Sequence, residues 1–500
     1  MKPERVVIIG SGLGGLSCAL ILSRNGYDVT VLEQGTQPGG CLQCFRRQGV
    51  KFETGMHFIG SADRGQVMDR LLRYLGVTAD IRLSRLDPAG YDVVSLQGQQ
   101  FRLANGREPF IETLARDFPG QKDRLQRYFD LVRQVAAASS LRSLRVADSD
   151  ASPLNTTYQL RSISDVLHEV VGDPLLRHVL VGNLPLYAAE RDKTSFATHA
   201  FITDFYNQSA FRVVGGSDLI AQSLTASITR QGGRVLCRKR AVSIDCDGQQ
   251  ARGVLTADGD YHPADIVIAA IHPARLVELC DSPLLRPAYR RRVAALPETV
   301  GCFSVYLRFK PRTVSYMNHN FYGYHQPSPW DCEQYDDASW PRGYLYMHFC
   351  SEDGQQWADG GVIIGYMQYS EVQRWQGTPI GRRGTDYEQL KRDRAERLIS
   401  AVCREFPALR QAIAGYDTST PLTYRDYTGT ERGAMYGIAR DIALGPAARV
   451  HHRTKVPNLL LTGQNINSHG ALGVLVGTVV TCSELLTSER IFNDIIKANE

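Results

Sequence analysis

A glycine-rich turn set between a strand-like run and a helix-like run, starting near residue 6, constrains this 500-residue chain more than any other feature. The apolar run Val6–Ile9 leads into Gly10-Ser11-Gly12-Leu13-Gly14-Gly15, and a helical segment follows. A second apolar run, Val29–Leu32, ends on Glu33-Gln34, ahead of Gly39-Gly40. The pattern reads as strand, turn, helix and strand, with the helix N-terminus offering free N–H groups and partial positive charge to phosphate. Gly10 permits the tight turn, Gly12 lets backbone approach a pyrophosphate, and Gly15 allows close packing of helix on strand. Glu33 stands where it can accept a hydrogen bond from a ribose 2′-hydroxyl, which favours FAD or NAD over NADP. The Gly39-Gly40 doublet favours FAD. The expected cofactor contacts here are Gly10, Gly12, Leu13, Gly14, Gly15, Glu33, Gln34, Gly39 and Gly40.

The length exceeds what one hydrophobic core serves, so at least two domains are expected. With 43% hydrophobic and 22% charged residues the chain is ordinary for a globular protein. A net charge of +5 makes no case for a nucleic-acid partner. There is no run of eighteen apolar residues to span a bilayer, and the N-terminus enters the first strand without room for a signal peptide. Eleven cysteines, an odd number, suit a reducing compartment, so the expectation is a cytoplasmic chain, with peripheral contact to a membrane left open. Cys41-Leu-Gln-Cys44 reads either as a redox pair or as two small packed side chains. No second such pair or histidine cluster completes a metal set, and no metal is expected.

Downstream, VMDRLLRYLGV, FIETLARDF and KDRLQRYFDLVRQVAAA carry apolar residues at helical spacing, and Ser162 and Gly172-Asp173-Pro174 mark helix starts. Phe211–Leu219 is glycine-rich and precedes a helix and several short strands, AVSIDCD among them. Cys302–Phe309, Gly343–Phe349 and Gly361–Tyr369 read as strands, Tyr387–Phe406 as a helix, and Asn458–Leu461 as a buried strand before a helix from about Gly470. The fold class expected is α/β: a Rossmann-type FAD-binding domain with a mixed sheet-plus-helix substrate domain. The cofactor domain would be discontinuous, at 1–75, 205–290 and 421–500, interrupted by a helical insertion at 76–204 and a substrate-domain sheet at 291–420.

Three motifs point to one family: the N-terminal fingerprint, the segment Gly49–Gly60 (GVKFETGMHFIG), and Leu461-Thr-Gly463-Gln464-Asn465. Together they resemble the phytoene desaturase/carotenoid isomerase family of FAD oxidoreductases, most closely its all-trans-retinol 13,14-reductase (retinol saturase) branch. The chain departs from many relatives in carrying Cys41 where they have Arg and Asn465 where they have Asp. The resemblance implies a flavin enzyme acting on carbon–carbon double bonds of a long, lipophilic conjugated polyene, by saturation, desaturation, isomerisation or reductive cyclisation, with hydride transfer at flavin N5. It also implies that Gly463, Gln464 and Asn465 face the flavin, that Gly473 and Val474 lie in the helix aimed at it, and that Val242 is a further cofactor contact.

Reduction requires a proton for the second carbon, and His57 is the leading candidate to supply it; Glu53 is a second candidate, as a base or as a tie for its loop. The ring-rich stretch 316–349 suggests Tyr322, Tyr324, Tyr344 and Tyr346 as walls for a flat substrate, although aromatic residues also favour strands for their own sake. The apolar stretch 163–187 either rests on a membrane or packs in the core. Two other readings of the scaffold are an amine oxidase-like flavoprotein and a non-enzymatic lipid carrier. Only one dinucleotide fingerprint is present, so the electron donor or acceptor is unidentified, and no oligomeric state is read.

Overall fold

The computed structural model describes residues 3–139, 144, 157–350 and 356–500. Its first sheet has five parallel strands in the order Arg234–Leu236, Asp28–Leu32, Arg5–Ile9, Ile266–Ala269 and Leu459–Leu461. Val6 and Ile8 join the core under the helices, whereas Val7 and Ile9 join the core on the opposite face. Burial on both faces explains why this strand is continuously apolar rather than alternating. The helix Leu13–Arg24 follows the first strand directly and packs against Gly470–Leu486 near the other end of the chain.

The second sheet has seven strands, in the order Ile413–Ser419, Gly301–Phe309, Gly360–Met367, Gly343–His348, Asn320–Tyr324, Asp92–Leu96 and Gln99–Leu103. Asn320–Tyr324 runs parallel to Asp92–Leu96, and every other pair is antiparallel. The helix Thr385–Glu405 covers one face. Helices Arg107–Asp117, Lys122–Ala137, Ile163–Val170 and Phe196–Gln208 share the core on the other face. The helix starts read from the sequence are capped as expected: Ser162 accepts a hydrogen bond from the Asp165 N–H, and Asp173 from that of Leu176.

The span 76–204 differs from its helical reading. Its hairpin Asp92–Leu96/Gln99–Leu103 forms the edge of the second sheet, turning at Gln97 (φ 55°) and Gly98 (φ 78°). Two consecutive positive φ values are the signature of a type I′ hairpin turn. A Gln-Gly pair announces such a turn weakly, and the strong helical periodicity on its C-terminal side masks it. Residues 140–143 and 145–156 of the same span lie outside the described residues. Most apolar side chains of 163–187, including Ile163, Leu167, Leu176 and Leu180, are buried in the core. Among the described residues no helix is long and apolar enough to cross a membrane.

One buried polar chain crosses the junction between the layers. Asp92 accepts hydrogen bonds from Asn320 Nδ2 (2.8 Å) and Asn183 Nδ2 (3.2 Å), and Asn320 Oδ1 accepts one from the Arg212 guanidinium (2.9 Å). Burial raises the Asp92 carboxyl to about 6. A carboxyl with a folded-state value above its unfolded one holds extra protons in the folded state, so its contribution falls as pH rises from about 4 to about 6. Thermal melts across that window should show Asp92→Asn gaining on the wild type by up to about 3 kcal/mol. Parallel pH profiles for the two proteins would contradict this.

Candidate active site

The C-terminal ends of the parallel strands open into a cavity of about 320 Å³, bounded on its far side by the second sheet. Such strand ends are where open α/β sheets place their ligands. Gly10, Gly12, Leu13, Gly14, Gly15, Glu33, Gln34, Gly39 and Gly40 all line the cavity, as do Gly463, Gln464, Asn465 and Val474. Gly10 has φ 98°, and a Cβ at Gly15 would stand 2.1 Å from the Gly10 carbonyl oxygen, so no side chain fits there. A Cβ at Gly12, by contrast, meets nothing within 4 Å. The helix starting at Leu13 has no side-chain cap, which leaves its first N–H groups to the cavity. The same holds for the helix starting at Gly470.

Glu33 is buried, accepting hydrogen bonds from the Ser11 N–H and hydroxyl and from the Gly35 N–H (2.7 Å). Three fixed donors orient its carboxylate beside the cavity. Asn465 Oδ1 accepts from the Ile438 N–H (2.8 Å), which fixes the amide at the cavity wall with its N–H groups left for a ligand. Gly473 does not line the cavity; a Cβ there would stand 2.6 Å from Ser468, which makes it a packing glycine for the 463–468 loop. Val242 is 37% exposed and is not part of the lining, whereas Lys239, Arg240 and Ala241 line the wall.

His57 lines the cavity, and Glu53 stands behind it. His57 Nδ1 lies 3.5 Å from Glu53 Oε2, and Glu53 Oε1 accepts from the Ser217 N–H (3.0 Å). Arg212, 2% exposed, donates to the His57 carbonyl (3.4 Å) as well as to Asn320, and so fixes the loop from the rear. Arg212 carried no signal in the sequence, because a single arginine in a strand reads as exposed.

The substrate tyrosines expected from the sequence do not line this cavity. Leu345 does, and its strand neighbours Tyr344 and Tyr346 point to the opposite face, against Phe321 and Phe406. Side chains alternate along a strand, so a stripe of rings cannot all serve one face. Tyr322 and Tyr324 share the face of Leu345 but are buried in the core beside the cavity. The rings that do line the cavity are Phe58, Tyr206, Tyr424, Tyr427 and Tyr436. Three of them fall in 424–436: Tyr424 and Tyr427 on the short helix Pro421–Thr428, and Tyr436 in the loop that follows it.

The sequence profile described as "Flavin containing amine oxidoreductase" matches residues 13–359, more than half of the chain. The chain belongs to this family. All-trans-retinol 13,14-reductase of Rattus norvegicus is 29% identical over 540 residues, spanning 99% of this chain and 87% of its own. Chloroplastic prolycopene isomerase of Arabidopsis thaliana is 22% identical, spanning 92% and 78%. The resemblance drawn from the three motifs thus extends along nearly the whole chain. Among solved structures, a putrescine oxidase double mutant superposes with a TM-score of 0.64 at 17% identity, over 99% of both chains.

As a flavin-containing amine oxidoreductase family member the protein is an FAD-dependent oxidoreductase of Rossmann-type fold. The cavity fits the cofactor: an uncapped helix N-terminus for the pyrophosphate, a fixed carboxylate for the ribose, and a second helix end for the reduced ring's negative charge. Cys41 also lines the cavity, and burial pushes its thiol up to about 11; the Cys44 thiol goes to about 12. Burial thus disfavours the thiolate at both positions, which speaks against a reactive redox pair. Among the described residues no three His, Cys, Asp or Glu side chains gather to hold a metal.

Because the Gly12 Cβ enters open cavity rather than protein, Gly12→Val should abolish flavin binding while the chain still folds. The purified variant should be colourless, with a melting temperature like that of flavin-stripped wild type. Wild-type flavin content in Gly12→Val would contradict the placement.

Proposed function

We propose that the protein reduces a carbon–carbon double bond of a long conjugated polyene. The observation that carries this reading is the place of a potential general acid, His57, in the wall of the cavity formed by the glycine turn and the Gly463–Asn465 loop. Reduction needs a proton source at the reacting bond, whereas isomerisation has no net proton to supply. The name of the rat relative specifies reduction of retinol, a conjugated polyene, which supports the same direction.

FAD held by the Gly10–Gly15 turn, Glu33 and the Gly463–Asn465 loop would supply hydride chemistry at the reacting bond. His57 gives its proton to one carbon of that bond from Nε2. Glu53 faces the opposite ring nitrogen, Nδ1, and stabilises the imidazolium before transfer; the Ser217 N–H holds Glu53 in that orientation. Leu345, Ile364 and Met435 supply an apolar wall that excludes water, and the Tyr424 hydroxyl is tied to the Thr54 carbonyl (2.8 Å), leaving its ring face to the ligand.

Anaerobic incubation of the reduced enzyme with a panel of conjugated polyenes should give products two hydrogens heavier. His57→Asn should keep its flavin yet lose about 10²- to 10⁴-fold in rate, the usual worth of a positioned acid. Products of unchanged mass would make the protein an isomerase and overturn the reading. An undiminished rate in His57→Asn would remove His57 from the chemistry.

A further inference from the structure

Behind the first cavity lies a second, of about 350 Å³, lined by Tyr366, Arg440 and His469 among others. The two share a floor. Ile364 lines the first and Tyr366 the second, two residues apart on one face of the strand Gly360–Met367, a step of about 7 Å. They also share a partition: Tyr436 lines the first cavity, and its ring lies 4.7 Å from that of His469 in the wall of the second. A stiff, extended ligand lying along the sheet in the first cavity is therefore aimed at the second.

The second cavity differs in its chemistry. Tyr366 is 8% exposed, and its hydroxyl has no hydrogen-bond partner. The Arg440 guanidinium, half-buried in the same wall, makes no ion pair or hydrogen bond among the described residues; burial and the like charge of Arg449 lower it to about 10. The other cations of this lining are exposed: Lys193 is paired with Glu190, and Arg432 reaches solvent. An uncompensated cation and a phenol lacking an acceptor are costly to bury unless something supplies anionic oxygen. Four carboxylates line the cavity, Glu190, Glu298, Glu333 and Asp441, and among the described residues none bonds Arg440: Glu190 is paired with Lys193 and Glu298 with His272.

We propose that this second cavity takes the ionised carboxylate end of the substrate, so that the polyene is a conjugated carboxylic acid rather than an alcohol or hydrocarbon. Arg440 supplies the charge, Tyr366 a hydrogen bond, and the hydrocarbon chain runs past Tyr436 to the flavin cavity. The proposal rests on the polyene reading above and sharpens it to a substrate class.

The test is equilibrium binding to the flavin-loaded protein of a conjugated polyene acid, its methyl ester and the corresponding alcohol, read by quenching of tryptophan fluorescence. The wild type should bind the acid at least about 10-fold more tightly than the ester, as a charge-assisted contact requires. Arg440→Gln should level the two, Arg440→Lys should keep most of the preference, and Tyr366→Phe should weaken the acid alone. Equal binding of acid and ester by the wild type, or a preference that survives Arg440→Gln, overturns the proposal. If Arg440→Gln loses its flavin or its fold, the wild-type ratio and Arg440→Lys decide. Reduction of ester and alcohol without acid preference would sink only this inference; failure of all three ligands to bind would sink the polyene reading with it.

Discussion

The site depends on one contact that only glycine allows. The helix Leu13–Arg24 presses so closely on the first strand that a Cβ at Gly15 would sit 2.1 Å from the Gly10 carbonyl oxygen. That closeness brings the helix N-terminus to the ends of the parallel strands with its N–H groups uncapped. Any bulk at Gly15 would lift the helix and scatter those donors, and the anion-binding character of the cavity would go with them. The helix starting at Gly470 packs on the same helix and places a second uncapped end on the cavity.

The segment 52–60 joins this cofactor platform to the second sheet. Phe52 is fully buried against Tyr306 and Phe349, Glu53 is held by Ser217, His57 faces the cavity, and Ile59 pairs with Phe211. Four successive jobs in nine residues leave little freedom of sequence, and they account for how distinctive the segment is. Arg212 seals the arrangement from behind, bridging the His57 loop to Asn320 of the second sheet. The position of His57 is thus set jointly by both layers, and disturbing either would move it.

Local chemistry decided what could be read without a structure. The glycine turn, the buried parallel strands and the capped helix starts declare themselves through residue types at fixed spacing, and each stands where the sequence places it. The hairpin at 92–103 escaped because its Gln97-Gly98 turn is a weak signal beside long helical periodicity. The substrate wall escaped for a different reason: ring content in 316–349 says nothing about which face of a sheet a ring occupies, and Tyr344 and Tyr346 occupy the wrong one. Arg212, Tyr436 and Arg440 matter through what they approach across the fold, and such approach leaves no trace in a single sequence.

The central claim is that one cavity holds a flavin and an apolar conjugated ligand in reacting distance. Photoreducing the purified enzyme without oxygen, adding a conjugated polyene, and following the flavin absorbance tests it in a single turnover. The account predicts that the oxidised flavin spectrum returns at a rate that saturates with polyene concentration. A flavin that stays reduced in the presence of bound polyene, while the enzyme remains reoxidisable by oxygen, would contradict it.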